Sequence, residues 1–133
     1  MIENSYALRV SACLLASLSA LTVSCGGGPS LPSRGGADGR KIAELIGNFN
    51  DDVSNMKRMT ASFAKGAMPT KPAEIKRYST YMYELAGDPS VSGATATANV
   101  KMREHRSGDN RGPVEWSFLK EGDAWKIKSA PLP

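Results

Sequence analysis

The chain is poor in residues that cross-link or bind metal: among 133 residues there are two cysteines and one histidine. A lone histidine cannot build a zinc centre, which draws on three or four clustered His and Cys ligands. Long apolar runs are missing too. The longest, Val10 to Val23, spans 14 residues, too few for a mature helix to cross about 30 Å of hydrocarbon. No stripe of Lys and Arg is interleaved with exposed aromatics, so the formal charge of +4 does not amount to a nucleic-acid surface. With 23% charged and 41% hydrophobic residues and a mean hydropathy of −0.32, the chain is neither a disordered tail nor a polytopic membrane protein. Its length fits one core and excludes a multi-domain enzyme.

What is present begins with an address. Residues 1–9 carry the basic Arg9, residues 10–20 are rich in Ala, Leu and Ser, and Leu21-Thr22-Val23-Ser24-Cys25 follows. This is the order of a signal peptide, residues 1–24, with a small residue before the cut. The segment resembles the lipobox of bacterial lipoproteins, which implies that the Cys25 thiol carries acyl chains and becomes the mature amino terminus. Cys13, also preceded by small residues, then falls within the removed segment. Two or three acyl chains anchor a protein stably where a single one does not, each buried methylene contributing about 0.8 kcal/mol. A mature chain with Cys25 acylated has no thiol left for a disulfide or a cysteine-bound metal cluster.

Residues 25–37 read as a lipidated flexible tether, because Gly26 to Ala37 has glycine and proline throughout and almost nothing to bury. The folded domain is expected over residues 38–133. Ile42, Leu45, Ile46 and Phe49 lie at i, i+3, i+4 and i+7, predicting a helix from Gly39 to Phe49. Asn50-Asp51-Asp52 breaks the pattern and offers an aspartate cap for a second helix, whose apolar positions Val53, Met56, Met59 or Thr60 and Phe63 continue to Gly66. Pro72 suits the first turn of a short third helix, with Glu74 near its positive end. Beyond Tyr78 the period falls to two. Tyr81, Tyr83 and Leu85 alternate with polar neighbours, as do Ala94 to Met102, Val114 to Phe118, and Trp125, Ile127 and Ser129.

Register tests this reading, since a two-residue hairpin loop must place both apolar sets on one face. A tip at Gly122-Asp123 sets Phe118 opposite Ile127 and Trp116 opposite Ser129; a tip at Ser92-Gly93 sets Val100 opposite Leu85 and Met102 opposite Tyr83. The predicted class is α+β, with three amino-terminal helices packed on a four-stranded antiparallel meander. The element order, the Phe49-Asn50-Asp51-Asp52 break and the ending Trp116 to Ile127 resemble the nuclear transport factor 2-like superfamily, and within it small bacterial lipoproteins of the lumazine-binding-like type. The resemblance covers about Asp38 to Ala130 and implies a cone-shaped roll, in many members with a pocket open at one end. Such pockets host isomerases, dehydratases, ligand binders and dimer modules alike, so the fold does not carry a function.

Enzymes similar to ketosteroid isomerase use an acidic residue and a tyrosine on the inward face. Here the inward titratable groups are Tyr81, Tyr83 and the hydroxyl of Ser129, with no Asp, Glu, His or Lys on the apolar face of any strand. General acid-base work needs a proton acceptor within reach of substrate, so no catalytic residue, cofactor or metal is expected. His105 sits in the polar loop Glu104 to Gly112, among Lys101, Arg103, Arg106 and Arg111, whose charges Glu104, Asp109 and Glu115 interleave. Tyr81, Tyr83, Trp116, Phe118 and Trp125 suit either a ligand pocket or a filled core. The expected protein is a lipid-anchored, non-enzymatic domain of the bacterial envelope, on the outer membrane or the periplasmic face, binding a small apolar ligand or an envelope protein. A small isomerase or dehydratase with a tyrosine-lined pocket and a structural dimer module are the alternatives.

Overall fold

A computed structural model describes residues 35–133. The expected signal peptide with Cys13, the lipidation site Cys25 and most of the tether lie outside the described residues. Three helices, α1 (Gly36–Asp52), α2 (Met56–Ser62) and α3 (Pro72–Tyr78), precede four strands, β1 (Tyr81–Ser92), β2 (Thr95–Glu104), β3 (Asn110–Glu121) and β4 (Ala124–Ser129). The strands form one antiparallel sheet in the order β1-β2-β3-β4. The helices cover one face of it, giving the expected α+β arrangement.

The helix α1 turns Gly39, Ile42, Ile46 and Phe49 inward at steps of three and four, the spacing of one helical face. It does not break at Asn50. The turn closes through Asp52, with the Val53 amide donating to the Phe49 carbonyl at 3.0 Å, and Asn50 has a different use: its Oδ1 accepts the Tyr83 amide at 2.7 Å and its Nδ2 donates to the Tyr83 carbonyl at 3.0 Å. The cap of α2 is Asn55, not an aspartate; its side chain accepts from the amides of Lys57 and Arg58. In α3, Pro72 opens the helix, Glu74 sits in the first turn and Lys76 and Arg77 in the last, each sign matching the helix dipole.

The sheet keeps the expected faces but not every pairing. Tyr83 faces Met102, Leu85 faces Val100 and Phe118 faces Ile127. The first hairpin tip is Gly93-Ala94, because Ser92 pairs with Thr95, and an irregularity between Ala86 and Ser90 restores the distal register. Ala94 is therefore an exposed turn residue. At the second hairpin the tip is Gly122-Asp123, yet Ser117, not Trp116, faces Ser129, after a shift between Ser117 and Phe118. That shift leaves Ser129 exposed and removes it from the inward set. Gly93 and Gly122 take positive φ (60° and 62°) ahead of a residue at negative φ, the pattern of a type II′ turn.

Ile42, Ile46, Phe49, Met59, Val100, Met102, Trp116, Phe118 and Ile127 are fully buried. Phe49 is the hub. It meets Phe63, Tyr78, Tyr83 and Trp116 edge-to-face, with ring centroids 5.2–5.9 Å apart, and each such pair contributes about 0.5–1.5 kcal/mol beyond its buried area. The outer margin of β4 is met by the chain after α2, where Phe63 bridges Ile127 and the Ala64 amide donates to the Ile127 carbonyl at 2.8 Å.

Candidate functional site

Of the five aromatic residues expected around a pocket, four lie in one buried cluster and Tyr81 packs against it. Tyr83, Trp116, Phe118 and Trp125 belong to the packed core, with the Tyr83 and Trp116 rings 5.2 Å apart. Tyr81 is half-buried at the start of β1. Trp125 lies toward the start of α1, bonded to Asp38. The Tyr83 hydroxyl donates to the Tyr78 carbonyl at 2.6 Å, so its proton is already engaged. Burial, with Tyr78 and Tyr81 adding to it, pushes this phenol well above the ordinary tyrosine range.

One charged pair does reach the inner side of the sheet, contrary to expectation. Lys120 follows Trp116 and Phe118 at the same parity of β3, and its Nζ lies 3.2 and 3.5 Å from the two Asp38 carboxylate oxygens. The Trp125 Nε1–H donates to Asp38 Oδ1 at 2.9 Å, and Lys120 Nζ stands 5.8 Å from the Trp125 ring centroid. The indole hydrogen bond first, and the Lys120 ammonium second, hold the Asp38 carboxyl below its ordinary value of 3.8. The cluster joins the first turn of α1 to the β3-β4 hairpin. Continuing the alternation of Trp116 and Phe118 by one more step would have found Lys120; its partner Asp38, far away in sequence, gives no such signal.

Past the end of α1 side-chain donors meet backbone carbonyls. Tyr78 Oη donates to the Ala130 carbonyl at 2.6 Å, Trp116 Nε1 to the Pro131 carbonyl at 3.2 Å, and Arg77 Nη2 to the Pro133 carbonyl at 2.9 Å. Burial, and then the Glu74 carboxylate, raise the Tyr78 phenol, with Arg77 opposing. Leu132, half-buried, packs against the core. Beside this segment lies a cleft of about 200 Å³ edged by Pro69, Glu74, Arg77 and Tyr78.

Two further clefts open on the sheet. One of about 340 Å³ is lined by Ser90, Ser92, Thr95, Thr97, Ser117 and Lys128; the other, about 180 Å³, by Met82, Glu84, Lys101, Arg103 and Asn110. Met82 is half exposed there. In the β2-β3 loop, Arg111 pairs with Glu104 at 3.9 Å and Asp109 at 4.0 Å, and Arg103 Nε donates to the Gly108 carbonyl at 3.3 Å. His105 is exposed, and its backbone amide donates to the Thr80 carbonyl at 2.9 Å. Among the described residues no three His, Cys, Asp or Glu side chains stand together to hold a metal, and no helix is long and apolar enough to cross a membrane. Comparison of the chain with known protein families, curated proteins and solved structures finds no match in any of the three.

Proposed function

We propose that this chain is a lipid-anchored, non-enzymatic binding domain of the bacterial envelope that engages a protein partner through its outer surface. The observation that carries this reading is the filled interior: Phe49, Tyr83, Trp116 and Phe118 occupy the space between α1 and the sheet where a ligand pocket would open. The Tyr78 and Tyr83 phenols already donate to backbone carbonyls, which counts against either serving as the acid of an isomerase. The α+β order also supports placing the domain in the nuclear transport factor 2-like roll, as a cone closed by its own side chains. Acylation of Cys25 is the anchor in this reading, with the glycine-rich segment after it holding the domain away from the bilayer.

Titration of the intact chain with an apolar fluorescent probe such as anilinonaphthalene sulfonate tests the closed interior. No saturable binding is expected at neutral pH. Stoichiometric binding that quenches tryptophan emission would reopen the ligand-pocket reading. For the anchor, Cys25→Ala should move the protein from the membrane to the soluble fraction, and a variant that stays with membranes overturns the lipoprotein part.

A further inference from the structure

We infer that Tyr78, Trp116 and Arg77 form a groove for an extended proline-containing peptide of a partner protein, and that residues 130–133 are its resident, displaceable ligand. The inference rests on the surface-binding reading above and names the chemistry of the partner. Its basis is a match of donors to acceptors. Within four residues, Ala130-Pro131-Leu132-Pro133, three backbone carbonyls are each taken by a side-chain donor: a phenol at 2.6 Å, an indole N–H at 3.2 Å and a guanidinium at 2.9 Å. Two of the four residues are prolines, which carry no amide proton. A strand partner would therefore find half the donors of this segment missing, and β4 ends at Ser129. Side-chain donors aimed at carbonyls read such a segment without asking it to donate.

The rest of the contact has the same form. Ala130, buried in the core, and half-buried Leu132 supply the apolar anchors, while Pro131 and Pro133 stay exposed and fix the backbone, lowering the entropy lost on docking. Aromatic donors beside an apolar slot are how proline-rich peptides are recognised in general. The slot also continues past its occupant: the cleft of about 200 Å³ between α3 and the segment, edged by Pro69 and Glu74, has room for a flanking side chain of a longer peptide. A resident segment attached to its own site competes at an effective concentration of order millimolar. An incoming peptide must therefore exceed that concentration, or meet a chain whose resident segment is weakened.

The two indole N–H groups make the test. Trp116 donates to the segment and Trp125 donates to Asp38, so in a ¹⁵N spectrum of the intact chain one resonance reports the groove and the other the fold. The probe is the capped peptide Ser-Ala-Pro-Leu-Pro, with Ser-Ala-Gly-Ser-Gly as control, titrated into the intact chain and into Leu132→Ser. The expected result is a saturable shift of Trp116 with Trp125 unmoved, a half-saturation at least about tenfold lower in Leu132→Ser, and no response to the glycine peptide. A Trp116 resonance that stays still in both proteins, moves together with Trp125, or responds equally to the control overturns the groove. Should Leu132→Ser fail to fold, exchange of the Leu132 amide in the intact chain decides: acceleration by the proline peptide supports displacement, and an unchanged rate overturns it. Failure of the groove while the apolar probe still finds no interior site would leave the surface-binding reading standing.

Discussion

The two ends of α1 are fastened to the rest of the domain in different ways. At its start a carboxylate, an ammonium and an indole meet, with Asp38 and Lys120 each about a third exposed. Beyond its end, phenols and an indole donate to backbone carbonyls, while the Asp52 carboxylate that closes α1 accepts the Ser62 hydroxyl at 2.7 Å and stands 3.9 Å from Arg58. An exposed ion pair is screened by salt and contributes little, whereas a neutral hydrogen bond inside the core leaves a costly orphan when one partner is removed. The carboxyl-terminal fastening should therefore dominate stability and the amino-terminal one should set sensitivity to acid and salt.

The difference can be pressed hardest at Phe49, whose ring touches both Tyr78 and Tyr83 and not Asp38. Phe49→Ala should cost about 3–5 kcal/mol by chemical denaturation and loosen the segment after β4 before it loosens the start of α1, as amide exchange would show. Equal loosening at both ends would deny that they are separate fastenings. Next in size, Tyr78→Phe orphans the Ala130 carbonyl and should cost about 1–3 kcal/mol, and Tyr83→Phe should cost a similar amount through the Tyr78 carbonyl.

A titration separates the ends further. The Tyr83 phenol binds its proton more tightly when folded than the ordinary value of 10.0, so its contribution is intact below pH 10 and is lost as pH rises above it. The fall from this phenol should be about 1.4 kcal/mol per pH unit; Tyr83→Phe should remove it and leave the part due to Tyr78, whose phenol is raised as well. Asp38 has the reverse sign. Its carboxyl is depressed when folded, so its contribution is present above the ordinary value of 3.8 and is lost as pH falls through the folded value. Asp38→Asn should be the mildest of these changes at neutral pH, flattening the acid limb of the stability curve and leaving the alkaline limb alone.

How much of this was legible in the sequence follows from the range of each signal. Periodicity is local, so α1 could be read from the spacing of Ile42, Ile46 and Phe49 and the four strands from alternations such as Trp116 and Phe118, while Pro72 marked α3. Hairpin parity is nearly local, and it placed Tyr83 opposite Met102 and Phe118 opposite Ile127. The misses came where one residue answers a distant one. Asn50 looks like a helix breaker until Tyr83 is beside it, since its side-chain amide then offers both a donor and an acceptor to a strand. The pairing of Trp116 with Ser129 failed because a one-residue shift in a ladder leaves no mark in an alternating pattern. For the same reason the interior could be listed residue by residue while its being filled rather than hollow could not, as that depends on how Phe49 meets four other rings at once.

Asn50 has one more consequence. A meander of four strands has two margins, and each is a template onto which a neighbouring molecule could add its own strand. On β1, Asn50 occupies the donor and acceptor of Tyr83, Pro89 has no amide to offer, and the chain is irregular between Ala86 and Ser90; on β4, the Ala64 amide already holds the Ile127 carbonyl. Each margin is thus interrupted at these positions, which makes it a poorer template for a neighbour's strand than a bare, regular edge would be.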